Sequence, residues 1–461
     1  MNIKRNRKLL CSVFNAQESR EAILGGARII DSEDPKSALG NIKPKHIMAV
    51  SDAVLNYKRD LEIQLSTNIG EDQLLFRRSQ SGQAIEKSAY EISGKASQAA
   101  IGVAASMGTR VHPVNIVKVG VDGMAIRKLR DVLTEVVLTL QRTEQFNHSQ
   151  VMSVLFAQNI RLWNERKTQD AVRRVLVELR EFESASEEDP TSFSLEDYAV
   201  GNLRDENGSA IFTESKQVSL ETLIRYGVLP EGANTSRVRV NELFSHDRYF
   251  PGLAQGDSTN REVIKAMVDA AADSGANSIM LDTSILLKVS NVCLVDTSDS
   301  DMVDMNPFQV RDGMVQRGVL KLDELRFFVD YCHFRGIEAN VAGSIESYQA
   351  QQLWVLLPEL DQISTRGSAS GVELDPSKPD ATTADTRQHR VIKRNLVRGI
   401  APPEHGGVLN LPASFKANPK AKAAIEELRT LISRRRVELN LPPLKTYFVN
   451  PTGDVVEAFD D

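Results

Sequence analysis

A lysine lies inside a short apolar run, Ile116-Val117-Lys118-Val119-Gly120. The β-branched residues around it favour a β-strand, in which successive side chains point to opposite faces. If Val117 and Val119 face covering helices, Lys118 points into the interior, where an unpaired charge is costly and the pKa of the lysine falls. Such a lysine is a candidate base or imine former. A structural ion pair with a carboxylate is the alternative interpretation.

Two other apolar runs end in an aspartate, Asp31 and Asp282, and the loop after the first contains Glu33 and Lys36. Carboxylates at strand ends can move protons or orient a lysine. An aspartate in this position is as often the N-cap of the following helix. We therefore predict these carboxylates either as acids of a catalytic site or as partners of Lys118.

Two later runs end in small residues, Gly343-Ser344 and Arg366-Gly367-Ser368. Glycine and serine allow backbone N–H groups to approach a phosphate, and a helix N-terminus adds its dipole. Tight turns needed only for steric reasons are the alternative. The two turns predict a binding site for a phosphorylated small molecule.

Eight short apolar runs are predicted as strands, with helical patterns between most of them. The runs are 9–13, 27–31, 61–67, 114–121, 238–243, 278–282, 337–343 and 360–365. Alternating strands and helices predict a parallel sheet, and eight strands favour an α/β fold of the (β/α)8 TIM-barrel type over a doubly wound sheet. The carboxyl ends of all strands then lie at one mouth, which would bring the residues named above together.

Parts of the chain exceed a minimal barrel. We predict a barrel over residues 1–400, a helical insertion that interrupts it at 145–235, and a C-terminal extension at 401–461. In the extension, Asn418 and Pro419 predict the start of a helix that runs to about Glu438. Two short runs after it predict a hairpin. Helical additions of this kind are compatible with a homo-oligomer.

Composition excludes several classes of protein. The 461 residues carry a formal net charge of −6, which argues against a sequence-independent nucleic-acid binder. The three cysteines form no CxxC pair, so neither a disulfide framework nor a zinc site is indicated. No apolar run approaches the roughly 20 residues of a membrane span, and no secretory signal precedes the first strand. We expect a cytoplasmic protein without a nucleic-acid or membrane partner.

In their order and spacing, these segments resemble the (5-formylfuran-3-yl)methyl phosphate synthase family of methanofuran biosynthesis. This family is also called 4-(hydroxymethyl)-2-furancarboxaldehyde phosphate (4-HFC-P) synthase. The matching segments are 25–31, 35–36, 39–40, 65–70, 117–120, 280–283, 342–345 and 366–370. The resemblance implies a carbon–oxygen lyase that condenses two molecules of glyceraldehyde 3-phosphate into a furan aldehyde phosphate through a Schiff base. It implies no metal and no organic cofactor. Lys118 matches the family's proton-accepting lysine, and Asp31 and Asp282 match its acidic positions.

The sequence departs from the family at two lysines. The imine-forming lysine is replaced by Glu33, and a second family lysine is replaced by Leu286. Because a carboxylate cannot form an imine, Lys118, Lys36 or Lys288 would have to take that role. The alternatives are a catalytically altered paralogue, which binds a phosphorylated ligand or a partner protein of the same one-carbon pathway, and a sugar-phosphate isomerase that uses Glu33 as its base.

Overall fold

The computed structural model shows a closed barrel of eight parallel strands. It describes residues 7–34, 44–57, 61–68, 76–78, 84–86, 114–120, 126–142, 149–156, 260–283, 292–298, 301–311, 314–373 and 390–459. Lys36, Leu286 and Lys288 lie outside these residues.

The described residues form nineteen strands and eight α-helices. The strands are β1 (Lys8–Val13), β2 (Ile29–Ser32), β3 (Gln64–Asn68), β4 (Phe76–Arg78), β5 (Ala84–Glu86), β6 (Ile116–Gly120), β7 (Gln150–Phe156), β8 (Ser278–Asp282), β9 (Val292–Val295), β10 (Val310–Arg311), β11 (Met314–Val315), β12 (Arg317–Leu320), β13 (Glu338–Val341), β14 (Gln362–Thr365), β15 (Ser370–Val372), β16 (Arg390–Ile392), β17 (Leu409–Pro412), β18 (Thr446–Val449) and β19 (Val455–Ala458). The helices are α1 (Ala16–Leu24), α2 (Pro44–Leu55), α3 (Ile126–Arg142), α4 (Asn260–Asp273), α5 (Leu322–Phe334), α6 (Ser347–Leu356), α7 (Arg394–Ile400) and α8 (Pro419–Glu438). None of these helices combines the length and the apolar composition needed to cross a bilayer.

The barrel strands follow the order β1-β2-β3-β6-β7-β8-β13-β14, and β14 pairs with β1 to close the ring. The predicted barrel is confirmed, and seven of the eight predicted runs overlap its strands. Helix α7 packs against both α6 and α1, which completes the outer layer next to β14.

The prediction of the fifth strand at 238–243 is wrong. The fifth position is occupied by β7, which pairs with β6 and β8, whereas 238–243 lies outside the described residues. Ser153 interrupts the apolar run of β7, and its side chain faces away from Met152 and Val154. The predicted insertion at 145–235 therefore begins on a barrel strand, and its remainder from residue 157 falls outside the described residues.

Side chains that point into the barrel form layers. The middle layer is apolar and contains Leu10, Ile29, Ile116, Val154 and Met280, together with other residues of the same cluster. At the amino ends of the strands, Lys8 Nζ donates to Gln64 Oε1 over 2.9 Å, and Gln362 Nε2 donates to Glu338 Oε2 over 2.6 Å. A second polar layer lies at the carboxyl ends of the strands. The apolar middle layer lies directly beneath it and is called the apolar floor.

Between β8 and α5 the chain forms a small unit that the sequence does not predict. Strands β9 and β12 pair in parallel, and we call them, with the described residues between them, the β9–β12 module. Gly318 allows this pairing, because a Cβ atom there would lie 2.1 Å from the backbone nitrogen of Asp296. The amide of Leu294 donates to the carbonyl oxygen of Gly343 over 2.9 Å, which joins the module to the end of β13.

The C-terminal residues cover one side of the barrel. The Asn418 side chain accepts a hydrogen bond from the amide of Lys420 over 3.1 Å, and α8 begins at Pro419 and ends at Glu438, as predicted. The predicted hairpin is also confirmed as β18 and β19, which form a sheet with β17. Helix α8 packs on α6, and all ten residues of α6 are buried. The extension therefore docks on its own barrel.

Arg436 anchors this docking. Its guanidinium donates to Gln351 Oε1 on α6 over 2.6 Å and to the carbonyl oxygen of Gly407 over 3.1 Å, and only 1% of the residue is exposed. Burial lowers the pKa of Arg436 to about 10. The run of arginines at 434–436 is thus not a basic patch, because its third member is internal.

We expect Arg436→Met to lower the free energy of unfolding by about 3 kcal/mol, because several buried hydrogen-bond acceptors lose their donor. Urea denaturation measures this loss. Arg435→Ala is the matched control, since Arg435 is 40% exposed and pairs with Glu438, and its cost should stay below about 0.5 kcal/mol. Equal losses in the two variants would show that Arg436 does not anchor the extension.

Candidate active site at the carboxyl ends of the strands

Lys118 lies between two carboxylates in the upper polar layer. Its Nζ atom is 2.6 Å from Asp31 Oδ2 and 3.1 Å from Glu33 Oε2. The side chains of Asp31 and Lys118 are 0% and 7% exposed, whereas that of Glu33 is 25% exposed. Glu33 therefore forms the side of the cluster that is open to solvent.

Two serines complete the cluster. Ser66 Oγ donates to Asp31 Oδ1 over 2.7 Å, and Ser12 Oγ lies 3.0 Å from both Asp31 Oδ2 and Glu33 Oε2. The Ser12 hydroxyl has one proton, so it donates to one of these carboxylates at a time. Both serines share a register position with Asp31 on neighbouring strands, which places the three side chains in one layer.

The alternation of side chains along β6 positions the lysine. Val117 and Val119 belong to the core between strands and helices, while Ile116 belongs to the interior of the barrel. Lys118, two residues after Ile116, therefore points inward as predicted. Ser12 and Ser66 reach the same layer because each lies on the inward face of its strand.

Electrostatics keep this lysine charged. Burial alone would lower the pKa of Lys118, but the adjacent carboxylates of Asp31 and Glu33 outweigh burial and raise the pKa above its usual range. The fall in pKa was predicted for an unpaired lysine, whereas the structure shows the alternative interpretation, an ion pair with a carboxylate. Burial raises the pKa of Asp31, against the opposing effect of Lys118. For Glu33 burial also acts upward, but the nearby ammonium group prevails and lowers the pKa to about 2.

Arg366 borders this cluster at the end of β14. Its Nη1 atom donates to the carbonyl oxygen of Ser12 over 2.9 Å, and two further hydrogen bonds of 3.2 and 3.3 Å go to the carboxylate of Glu18. These contacts use three of the five N–H groups of the guanidinium. Arg366 also contributes to the low pKa of Glu33. It is therefore held in place by Glu18 and retains donors for a ligand.

The two Gly-Ser turns follow neighbouring strands, β13 and β14, at the same mouth. Gly343 and Ser344 have φ angles of 105° and 55°, and a Cβ on Gly343 would lie 2.6 Å from Thr283 Oγ1. Steric requirements thus account for Gly343. They do not account for Gly367, where no atom of the described residues lies within 4 Å of an added Cβ. The described part of the chain therefore leaves the space beside Gly367 open.

Other predicted residues have different surroundings. Asp282 ends β8 at the same mouth, and its Oδ1 atom accepts a hydrogen bond of 2.7 Å from the amide of Thr283. The hydrogen bonds described for Lys118 go to Asp31 and Glu33. Ser368 lies half-buried in the turn after β14.

Sequence reasoning assigned no role to Ser12, Glu18 or Ser66. A signal existed for the serines, because each is a polar residue on the inward face near the carboxyl end of an otherwise apolar strand. Glu18 is harder to find, since it lies in the first turn of α1 and meets Arg366 only after the barrel closes.

The turn after β13 gives a prediction about stability. We expect Gly343→Ala to cost at least about 2 kcal/mol, because it combines a left-handed φ with a clash against Thr283. Gly336→Ala is the matched control, since its φ is 76° and no atom of the described chain lies within 4 Å of an added Cβ, so strain alone should cost about 1 kcal/mol. The difference between the two in thermal or urea denaturation measures the contact. If it is zero, Thr283 does not pack closely on the turn.

The family of 4-HFC-P synthase matches this chain over residues 9–178. The resemblance stated from the sequence is confirmed for this segment, which contains Asp31, Glu33 and Lys118. Both Gly-Ser turns lie outside the matched residues. No curated protein matches the chain.

Several solved structures are similar at low identity. A Rubisco-like protein from Burkholderia fungorum has a TM-score of 0.35 and 8% identity, with 94% of this chain and 66% of that chain covered. Rubisco from Pyrococcus horikoshii has a TM-score of 0.33 and 10% identity, with 93% and 66% covered. Phosphoribosyl anthranilate isomerase from Thermus thermophilus has a TM-score of 0.31 and 9% identity, with 86% and 96% covered. At these TM-scores the similarities carry no argument, and the fold class rests on the strand pairing of the barrel itself.

Proposed function

We propose, on the premise of the family match over residues 9–178, that this protein is a lyase that forms a furan aldehyde phosphate from two triose phosphates. The product would serve a methanofuran-type one-carbon cofactor. The observation that carries the proposal is the cluster of Lys118, Asp31 and Glu33, which lies inside the matched segment and at the mouth of the barrel.

The chemistry needs proton transfers at several oxygen and carbon atoms. Two molecules of glyceraldehyde 3-phosphate give the furan aldehyde phosphate, one inorganic phosphate and two waters, without an oxidant. An acid must protonate the carbonyl oxygen that becomes a hydroxyl group and the oxygens that leave, and a base must remove protons from carbon. Charged Lys118 can donate hydrogen bonds to these oxygens and stabilise the negative charge that develops on them. Glu33 is the partly exposed carboxylate of the cluster and is the proposed proton acceptor.

Lys118 then acts through its charge and its hydrogen bonds rather than as an imine former. An imine requires a neutral amine, and the two carboxylates hold Lys118 in its charged form. Loss of the family's imine-forming lysine at position 33 agrees with this route. Carbon–carbon bond formation would proceed through an enediolate of one triose phosphate, whose negative charge the Lys118 ammonium group would stabilise.

The retained phosphate is proposed to bind at the turns after β13 and β14. Both turns lie at the same mouth as Lys118, because parallel barrel strands end there together. The space that the described residues leave open beside Gly367 and the remaining donors of Arg366 support this position. The reacting carbons would then lie between the turns and the lysine.

The test is incubation with glyceraldehyde 3-phosphate. We expect a conjugated furan aldehyde, detected by absorbance and carbon NMR, together with one inorganic phosphate for each molecule formed. Unchanged substrate after prolonged incubation with a folded protein would contradict the proposal.

A specific observation favours a second candidate function. Glu33 replaces the family's lysine and pairs with Lys118, so an altered paralogue that binds a phosphorylated ligand without turnover is the alternative. Calorimetry separates the two functions. Binding of glyceraldehyde 3-phosphate with no furan product would support the binding protein.

A further inference from the structure

We infer that Gln316 is a positioning residue that, with the β9–β12 module, sets the direction of two backbone N–H groups in the turn after β13, those of Ser344 and Ile345. This inference rests on the proposed function, because it concerns the proposed phosphate-binding site at the turns after β13 and β14. Neither the family match nor the sequence motifs include Gln316.

The module binds two successive carbonyl groups of the turn. The amide of Leu294 donates to the oxygen of Gly343 over 2.9 Å, and Gln316 Nε2 donates to the oxygen of Ser344 over 3.4 Å. Within the described residues every peptide bond is trans. In a trans peptide the C=O group and the next N–H group point in opposite directions. The N–H groups of Ser344 and Ile345 therefore point away from the module.

Gln316 is itself held in one orientation. Only 3% of it is exposed, and its Oε1 atom accepts from the hydroxyl of Tyr348 over 2.7 Å and from Gln349 Nε2 over 3.4 Å. With its oxygen occupied by these donors, the Nε2 group is turned toward Ser344. The side-chain amide of Gln316 therefore links α6 to the turn. Its oxygen accepts from two residues of α6, and its nitrogen donates to the turn.

The arrangement suits an anion. Two consecutive N–H groups that point the same way form a concave donor pair, and α6 begins at Ser347, so its dipole adds positive potential nearby. Without Gln316, the peptide between Ser344 and Ile345 loses its side-chain clamp and can rotate. Phosphate affinity should then fall, while the acid–base cluster at Lys118 keeps its own contacts.

The experiment compares Gln316→Met with Gln351→Met in the full chain. Gln351 is also a fully buried glutamine and lies on α6, but its Nε2 group donates to the carbonyl oxygens of Gly399 and Ala401, outside the module and the turn. Titration with inorganic phosphate, followed by NMR, gives the dissociation constant, and kinetics with glyceraldehyde 3-phosphate give kcat and KM. We expect Gln316→Met to raise both the dissociation constant and KM about tenfold with kcat within about twofold. Gln351→Met should leave both constants near the wild-type values.

Tyr348→Phe serves as a second variant, because it keeps the ring and removes the hydrogen bond to Gln316 Oε1. We expect a smaller rise in the same two constants. Wild-type affinity for phosphate in both Gln316→Met and Tyr348→Phe would overturn the inference and leave the proposed reaction standing. An equal rise in Gln351→Met would overturn it as well, since a general loss of packing would then explain the effect. If the wild-type protein does not bind phosphate, the proposed phosphate-binding site does not exist. This result would overturn both the inference and the proposed position of the retained phosphate.

Discussion

The Lys118→Met variant is expected to lose about 1,000-fold or more in kcat, because it removes the one ammonium group bound by both carboxylates of the cluster. Methionine has a similar length and fills the same space, so the apolar floor beneath it is kept. Formation of the furan aldehyde under saturating glyceraldehyde 3-phosphate measures the loss. The expected change is in kcat rather than KM, because the proposed phosphate-binding site follows β13 and β14, whereas Lys118 lies on β6.

This substitution also affects stability. Asp31 is fully buried, and without Lys118 its carboxylate would lose its buried countercharge at a cost of about 3–5 kcal/mol. The double variant Lys118→Met/Asp31→Asn removes both charges, so its free energy of unfolding should lie closer to that of the wild type. Its activity should stay as low as that of the single variant.

The chain provides a matched control for the substitution of Lys118. Lys8 also lies in a polar layer of the barrel, but at the amino ends of the strands, where it donates to Gln64. Lys8→Met should therefore retain kcat within about twofold, since it lies on the far side of the apolar floor. Turnover near the wild-type rate in a folded Lys118→Met/Asp31→Asn protein would remove Lys118 from the mechanism.

The sequence was sufficient to predict where Lys118 points but not what it contacts. Alternation along β6 is a local property, and the valines on either side of the lysine fix the inward direction. Its partners lie 87 and 85 positions earlier in the chain, and their approach depends on the pairing of three strands, β2, β3 and β6. The direction of its pKa shift depends on those partners, which explains why the sequence left a lowered pKa and an ion pair open as alternatives.

The same distinction explains the errors in the fold. Seven barrel strands could be found locally from their apolar residues, whereas β7, which is just as apolar, was missed because its segment was assigned to the insertion at 145–235. Strands β9 and β12 form a separate two-stranded sheet and are not consecutive in the chain, so a local pattern does not reveal their pairing. The role of Gly318 in that pairing is a close backbone contact, which no local pattern reveals.

Glu33 occupies the position at which the resembling family, 4-HFC-P synthase, has its imine-forming lysine. We expect Glu33→Lys to gain an imine with glyceraldehyde 3-phosphate that the wild-type protein does not form. The new amine would lie close to Lys118, whose Nζ atom is 3.1 Å from the present carboxylate. Two neighbouring ammonium groups lower each other's pKa, so one of them loses its proton more readily than an isolated lysine does. Asp31 remains as the partner of Lys118, which leaves the new lysine as the neutral one.

Borohydride reduction followed by peptide mass spectrometry detects the imine as a stable adduct on the peptide that contains residue 33. Glu33→Gln is the matched control, because it removes the same negative charge without adding an amine, and it should form no adduct there. In the wild-type protein the pKa of Glu33 is lowered to about 2, so its carboxylate stays ionised and keeps Lys118 charged throughout the assay range. A borohydride-stable adduct on Lys118 of the wild type would contradict this mechanism, since it would require the substrate to separate the lysine from both carboxylates.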